Sequence, residues 1–474
     1  MNTNNATKQK FLDRSKFKSW KDTDIHTDGC NIPYAPGFLP GIGHLIPFLR
    51  KPFNFIAGLP EYGDIVKFRL GSKLVHVVCD PLLTKQVLSD DRTFDKGGLF
   101  FDREREWLGI TVATCYHNEH RQRRRSVQHV VRPKRIAGCL QSISDEVSAK
   151  VNLWNSKRAL DVYPEMFDIT SRVFGSTMFS TTISASTQRQ IVDDLSETFN
   201  GTIRKTLLPA VLNKIPTPRN KRFNKANFRL RKAMNEIVSE RRQNPIDTGD
   251  LLSALLISAD PDEAVLPEMS DSEIIDAVVT FFAAGTETTS ATLSWALYML
   301  ALHPGVQKLL HVEVDEVLAE GAPLYTQLDK LSLTKRILKE TLRLYPPAWF
   351  LTRVLSVDAC LGSYNLPAGT VLAISPYMIH RRTDLYEDPD RFNPDRWLMP
   401  KEEASVPAIP YYIPFGGGAR RCIGEHFALA EASVALATIA SFWDLSESSI
   451  QKVRSPLSVS LVPEGLHLNI KSRR

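Results

Sequence analysis

A mainly α-helical domain with small β-sheets is the fold class this sequence predicts, on three observations. Ser270-Asp271-Ser272-Glu273 places a serine three residues before a glutamate, a capping box, and opens a helical pattern that runs to His303-Pro304. At ~1.5 Å per residue that is about 50 Å of helix, long enough to pass through the middle of a protein. Helix-compatible stretches also cover 136–155, 162–178, 188–203 and 220–242, and Pro209, Pro216 and Pro218 break the chain between the last two. Strand signals, by contrast, are short: Ile65–Leu70 and 74–78 flank Gly71-Ser72, a hairpin pattern. The 474 residues, 43% apolar and 24% charged, have an ordinary globular composition. No internal repeat or long linker divides them, so one domain over 31–474 is expected.

In chain order, residues 1–30 are polar with scattered charges of both signs and read as a disordered tail, not a signal peptide or membrane anchor. Pro33 to Gly43 is rich in proline and glycine and reads as a rigid arm. Asp80-Pro81 starts a short helix. Residues 94–117, with Gly97, Gly98, Phe100, Phe101, Trp107 and Leu108, read as a long functional connection. Residues 120–130 read as a helix on which His120 and Arg124, four apart, share a face. Within the long helix, Ala283-Ala284-Gly285-Thr286-Glu287-Thr288-Thr289 puts glycine and threonines where they weaken and bend a helix, a place to hold water. Glu340 and Arg343 lie three apart on a helix ended by Tyr345-Pro346-Pro347. Trp349 to Arg353 leads into strands that Val371–Ile374 continues, and Phe392 to Trp397 begins an irregular segment. Near the end, 458–462 and 466–470 flank Pro463-Glu464-Gly465 and read as a hairpin.

The chain is organised around Phe415-Gly416-Gly417-Gly418-Ala419-Arg420-Arg421-Cys422-Ile423-Gly424. Three consecutive glycines mark a loop with unusual backbone angles or close approach. Helix formers begin at Glu425, so Cys422 sits where the loop turns into a helix. Amides and the helix dipole there favour negative charge, which predicts a lowered thiol pKa and a thiolate able to ligate iron. Gly424 leaves a face bare for a large flat group.

All fixed positions of that string match F-x-x-G-x-R-x-C-x-G, and the chain from about Pro33 onward resembles the cytochrome P450 family. The resemblance implies the P450 fold, with the long helix over a haem and the cysteine loop beneath. Cys422 is then the axial ligand of haem b, with Phe415 and Gly424 against the cofactor and His120, Arg124, Arg353 and Arg420 holding its propionates. Ala284 to Thr288 matches A-G-x-[DE]-T, so Glu287 and Thr288 form the acid–alcohol pair that relays protons to dioxygen. Glu340 and Arg343 match E-x-x-R, and Pro389-Asp390-Arg391-Phe392 matches P-x-R-F, which makes Glu340, Arg343 and Arg391 a buried structural triad. The 94–117 segment would roof the pocket and the proline break near 209–218 would be its lid. Phe100, Phe101, Phe281, Ala284, Trp349, Phe350 and Leu461 would touch substrate.

The expected activity is haem-thiolate monooxygenation, one atom of O2 going into an apolar small molecule. Asp91 to Gly98, His120 to Arg125 and Trp349 to Arg353 look similar to bacterial members that oxidise cyclised terpenes. A fatty acid or macrolide is equally compatible with the aromatic pocket set. A peroxide-driven or isomerase-like haem-thiolate enzyme is disfavoured by the acid–alcohol pair, and nothing demands a non-catalytic haem carrier. No flavin or ferredoxin domain is present, so electrons are expected from NAD(P)H through a separate ferredoxin reductase and ferredoxin. Net charge is +6, and the run Arg121-Gln122-Arg123-Arg124-Arg125, with Arg132, Lys134, Arg135 and Arg421, predicts a basic surface for an acidic ferredoxin. No aromatic interleaving or motif accompanies it, so nucleic acid is not expected. No ~20-residue apolar run suits a bilayer, and the six cysteines lack zinc or disulfide spacing. A cytoplasmic monomer is expected.

Overall fold

The computed structural model describes residues 32–155, 159–179, 185–207, 210–243, 248–256, 269–318, 325–398, 411–448 and 453–473. The expected N-terminal tail, and Pro209 of the lid, lie outside them.

Helix Asp271–Leu302 is the axis of the molecule. Its capping box forms as expected: the Ser270 hydroxyl accepts from the Glu273 amide and Glu273 accepts from the Ser270 amide. Most of its residues are buried on every side, the mark of a helix inside a core. Helices Val162–Phe179, Pro218–Gln243, Ser332–Leu344 and Glu425–Phe442 pack around it. Gly285 is a packing glycine, since a Cβ there would run into the Phe174 ring. The helices expected over the middle of the chain form as Pro133–Val151, Val162–Phe179, Ala185–Leu207 and Pro218–Gln243.

A five-stranded sheet flanks this bundle in the order Ile65–Leu70, Lys73–Val78, Val371–Ile374, Leu351–Leu355, Phe94–Asp95. The expected hairpin pairs Ile65 with Val78 and Leu70 with Lys73. The arm docks on its edge through Ala35 N–H to the Lys67 carbonyl (2.8 Å) and Lys67 N–H to the Pro33 carbonyl (2.8 Å). The buried face of this sheet joins Phe48, Phe68, Trp349 and Leu461 in a second core beside the helical one.

Two elements differ from expectation. The 94–117 connection contains helix Gly98–Leu108. Gly97-Gly98 reads as a breaker but stands before the helix, which is held by the buried faces of Phe101, Trp107 and Leu108 and by the Asp102–Arg105 pair at 3.0 Å. The C-terminal hairpin does not form. Strand His467–Ser472 pairs with Trp443–Glu447 and Leu160–Asp161 instead. Residues 458–462 are taken up by the core: Leu461 N–H bonds the Pro347 carbonyl (3.0 Å) and its carbonyl accepts from Trp295 Nε1 (3.0 Å).

Candidate active site

The cysteine loop closes by one backbone bond, Cys422 N–H to the Phe415 carbonyl at 2.9 Å. Gly418 has φ +63°, and a Cβ on it would collide with the Leu88 carbonyl, so the turn needs glycine. Helix Glu425–Phe442 begins directly afterwards. Cys422 has open surface, yet protein surrounds it closely enough that burial lifts its thiol pKa. The opening is therefore internal. The sign of that shift corrects the sequence expectation: the Gly424 amide does favour the thiolate, but desolvation outweighs it. Gly424 carries no side chain toward this space, and a Cβ added there would meet only the Cys422 sulfur, at 4.0 Å.

Ala284 is exposed and Thr288 half-buried, and with Gly285 between them they are the open stretch in the middle of a helix whose interior positions are otherwise mostly buried. The Thr288 hydroxyl donates to the Ala284 carbonyl at 2.7 Å, the back-bond expected of a helix threonine. Glu287 points elsewhere. It is buried, hydrogen-bonded to the Ser460 hydroxyl, and its pKa is pushed up to about 8 by burial. At neutral pH its carboxyl keeps a proton.

The cations gather as a buried group. Arg353 is 5% exposed, and its side chain donates only to the Thr352 carbonyl (2.8 Å) among the described residues. Burial and the charge of Arg420 hold it down at about 10. Lys96, which the sequence reading passed over, is pushed down to about 7 by burial and by Arg353 and Arg420. His120 is buried and held at about 4 by desolvation and the charges of Arg420 and Lys96, so it is neutral. Arg420 is already paired, with Asp91 (2.8 Å), Asp95 (2.8 Å) and the Cys115 carbonyl (2.9 Å). Arg124 clamps the cysteine loop through the Ala419 (3.2 Å) and Arg421 (2.8 Å) carbonyls.

An accessible thiol, a side-chain-free face beside it and under-neutralised buried cations fit a flat, dianionic, iron-bearing group. Haem is such a group: Cys422 would be its ligand, and Arg353 would answer its carboxylates together with Lys96, whose ammonium already donates to the Ala113 carbonyl (2.6 Å) and has donors to spare.

The structural triad forms with a different third member. Glu340 and Arg343 are fully buried and bidentate, at 2.9 and 2.8 Å. Glu340 also accepts from the Asn393 amide (3.0 Å), Arg396 Nε (3.4 Å) and Trp397 Nε1 (3.0 Å). The Arg391 side chain is exposed, and only its carbonyl takes part, accepting from Arg343 (3.1 Å). The arginine belongs to Pro394-Asp395-Arg396-Trp397, whose 3-10 turn, capped by the Asn393 side chain, directs it at Glu340.

Of the aromatic set, Phe100 and Phe350 are half-buried. Phe101 and Phe281 are nearly closed off. Trp349 and Leu461 contact protein on all sides, with Trp349 Nε1 donating to the Ser458 carbonyl (3.1 Å); they are core residues and not pocket walls. Of the basic run, Arg121 and Arg125 are exposed, whereas Arg123 pairs with Glu119 (2.9 Å) and Glu273 (3.5 Å) and Arg421 with Glu425.

Fold and site together define a haem-thiolate oxygenase. Comparison with known proteins reaches the same class: the cytochrome P450 family profile matches residues 33–469. The chain is 37% identical over 441 residues to pentalenene oxygenase of Streptomyces avermitilis, covering 93% of this chain and 97% of that one. It is 38% identical to cyclooctat-9-en-7-ol 5-monooxygenase of Streptomyces melanosporofaciens, covering 87% and 89% of the two chains. Cyclooctatin synthase of the same organism is 38% identical, covering 92% and 94%. The chain belongs to the cytochrome P450 family and is a monooxygenase of it.

No helix among the described residues is long and apolar enough to cross a membrane.

Proposed function

We propose that the chain hydroxylates a cyclic terpenoid, with electrons from NAD(P)H carried by a separate ferredoxin reductase and an acidic ferredoxin. Two electrons, two protons, O2 and the C–H substrate yield the alcohol and water. When bound, haem supplies the activation of dioxygen and the transfer of the oxygen atom. Cys422 would hold the iron, and Arg353, Lys96 and neutral His120 would hold the carboxylates. Thr288 offers its hydroxyl at the open face of the long helix, where a proton must arrive. Glu287, protonated at neutral pH beside Ser460, is the adjoining proton store, one residue away and off the open face. Phe100 and Phe350, half-buried, would supply apolar surface to the substrate. Arg121 and Arg125, next to the Arg124 clamp on the cysteine loop, present positive charge to the ferredoxin.

The single observation that carries this reading is the Cys422 thiol, which keeps open surface although protein surrounds it closely, at the junction of a glycine loop and a helix. The terpenoid class is supported by likeness to the three Streptomyces proteins along nearly the whole chain. The test is optical. The reduced, purified holoenzyme under carbon monoxide should show the strongly red-shifted absorption of thiolate-bound haem, and Cys422→Ser should abolish it. Titration with a panel of cyclic terpenes, fatty acids and macrolides should give a spin shift with the terpenes first. A wild-type protein without that band, or a panel led by fatty acids, overturns it.

A further inference from the structure

We propose that Glu104 determines substrate specificity by accepting a hydrogen bond from a hydroxyl group, so that the preferred substrate is a cyclic terpenoid alcohol and not its parent hydrocarbon. This rests on the terpenoid reading above.

Glu104 lies on helix Gly98–Leu108. Phe101, Glu104 and Leu108 are spaced i, i+3, i+7 and so share a face, and Phe101 and Leu108 are buried. A carboxylate therefore stands on the inward stripe of an amphipathic helix. The outward acids of the same helix, Asp102 and Glu106, are exposed and paired, with Arg105 and with Arg103 and Lys205. Glu104 makes no hydrogen bond or ion pair among the described residues. Its surface is half-open although protein encloses it, the same combination found at Cys422, and burial pushes its pKa up to about 7. Its charge is felt by Lys96 among the buried cations and by Glu287 on the long helix. Helix Gly98–Leu108 packs against the long helix, and its inward stripe turns Glu104 toward that side, where the proposed substrate would lie.

A buried carboxylate with no hydrogen-bond partner among the described residues is costly, and a ligand that donates to it recovers that cost. The surroundings select the donor. Lys96 and Arg105, the cations whose charge its carboxyl feels, disfavour an ammonium ligand, while Glu104 itself repels a carboxylate ligand. A neutral hydroxyl remains. A hydrocarbon would either leave Glu104 unpaired or share the pocket with a water. The reaction before this one must then install a hydroxyl, either a cyclisation ended by capture of water or an earlier hydroxylation.

The experiment titrates the holoenzyme with matched pairs, a cyclic terpene and its monohydroxylated analogue, and reads the dissociation constant from the spin shift and from calorimetry. At pH 8, above the value of about 7 at which Glu104 ionises, the wild type should bind the alcohol at least ~10-fold tighter, the scale of a hydrogen bond to a charged acceptor. Glu104→Leu should weaken the alcohol by about that factor and leave the hydrocarbon unchanged or tighter. Glu104→Gln, which keeps a carbonyl acceptor and the side-chain volume, should retain most of the preference and guards against a misfolded Leu variant. Equal affinities in the wild type, or equal losses for both ligands in Glu104→Leu, overturn the proposal while leaving the terpenoid reading intact. Failure of both ligands in the wild type overturns both.

Discussion

Replacing Arg396 should damage this protein and replacing Arg391 should not. The two sit in tandem copies of one pattern, Pro389-Asp390-Arg391-Phe392 and Pro394-Asp395-Arg396-Trp397. Glu340 is fully buried and satisfied by five donors, four of them besides Arg396. Arg396→Leu leaves the Arg343 charge in place, so the full cost of an unpaired buried charge, ~3–5 kcal/mol, does not arise. What is lost is one charge-assisted bond, typically ~1.5–3 kcal/mol. At 3.4 Å it belongs at the weak end, and the bond from Arg396 Nη2 to the Asp388 carbonyl (3.3 Å) goes with it. The expected loss is about 1.5–2 kcal/mol. Arg391→Ala keeps the carbonyl that Arg343 uses and removes only an exposed side chain, for which ~0.5 kcal/mol or less is usual. Arg343→Leu, which removes both bidentate bonds and three carbonyl contacts, should reach or pass ~3 kcal/mol. Denaturant midpoints of the three holoenzyme variants, with haem retention beside them, give the comparison. An Arg391→Ala loss equal to or larger than that of Arg396→Leu would refute the geometric assignment and restore the first copy of the motif.

Thr288→Ala removes the hydroxyl at the open helix face and should uncouple turnover: oxygen uptake persists while product per electron pair falls, by up to about 100-fold if the full general-acid contribution is lost. Unchanged coupling would favour a peroxide-driven enzyme. Glu431 is buried without a well-formed hydrogen bond to either carboxyl oxygen, Thr289 being its nearest polar neighbour, and burial pushes its pKa up from 4.5 to about 8. Between those values the folded state holds a proton that the unfolded state has released, so stability falls as pH rises through the window. Glu431→Gln should be near neutral at pH 5 and stabilising by a few kcal/mol, roughly, at pH 8; a pH-independent difference would sink this. Charge reversal of Arg121 and Arg125 together should slow reduction by an acidic ferredoxin ~10-fold at low ionic strength and much less in high salt; rates unmoved by either change would remove the proposed docking face.

Much of this was legible in the sequence because its signals are local. A capping box needs four residues, and it placed the start of the long helix correctly at Ser270. The hairpin at Gly71-Ser72 and the loop-to-helix junction at Cys422 are local in the same way. What failed depended on partners far along the chain. Two identical P-D-R patterns five residues apart cannot be told apart by composition; the second one wins because its 3-10 turn and Trp397 converge on Glu340. The Gly97-Gly98 pair hid the roof helix, since a breaker looks the same whether it interrupts a helix or precedes one. Pro463-Glu464-Gly465 resembled a hairpin turn, but Leu461 is held by Pro347 and Trp295 from elsewhere in the chain, and that decides against a ladder.

The thiol shows the same division in its electrostatics. Amides at the start of a helix favour the thiolate, and that inference needs only neighbouring residues. Burial disfavours it, and burial is a property of the whole fold, which here prevails for the free thiol. The deprotonated sulfur must therefore come from metal ligation, because a coordinating thiol loses its proton outright. The helix terminus alone does not supply it. If Cys422 ligates the iron as proposed, haem binding should release the proton that the free thiol holds. That release, measured by calorimetry of apoprotein loading in buffers of different ionisation enthalpy, should vanish in Cys422→Ala. Persistence of the same release in the variant would show that the proton comes from elsewhere.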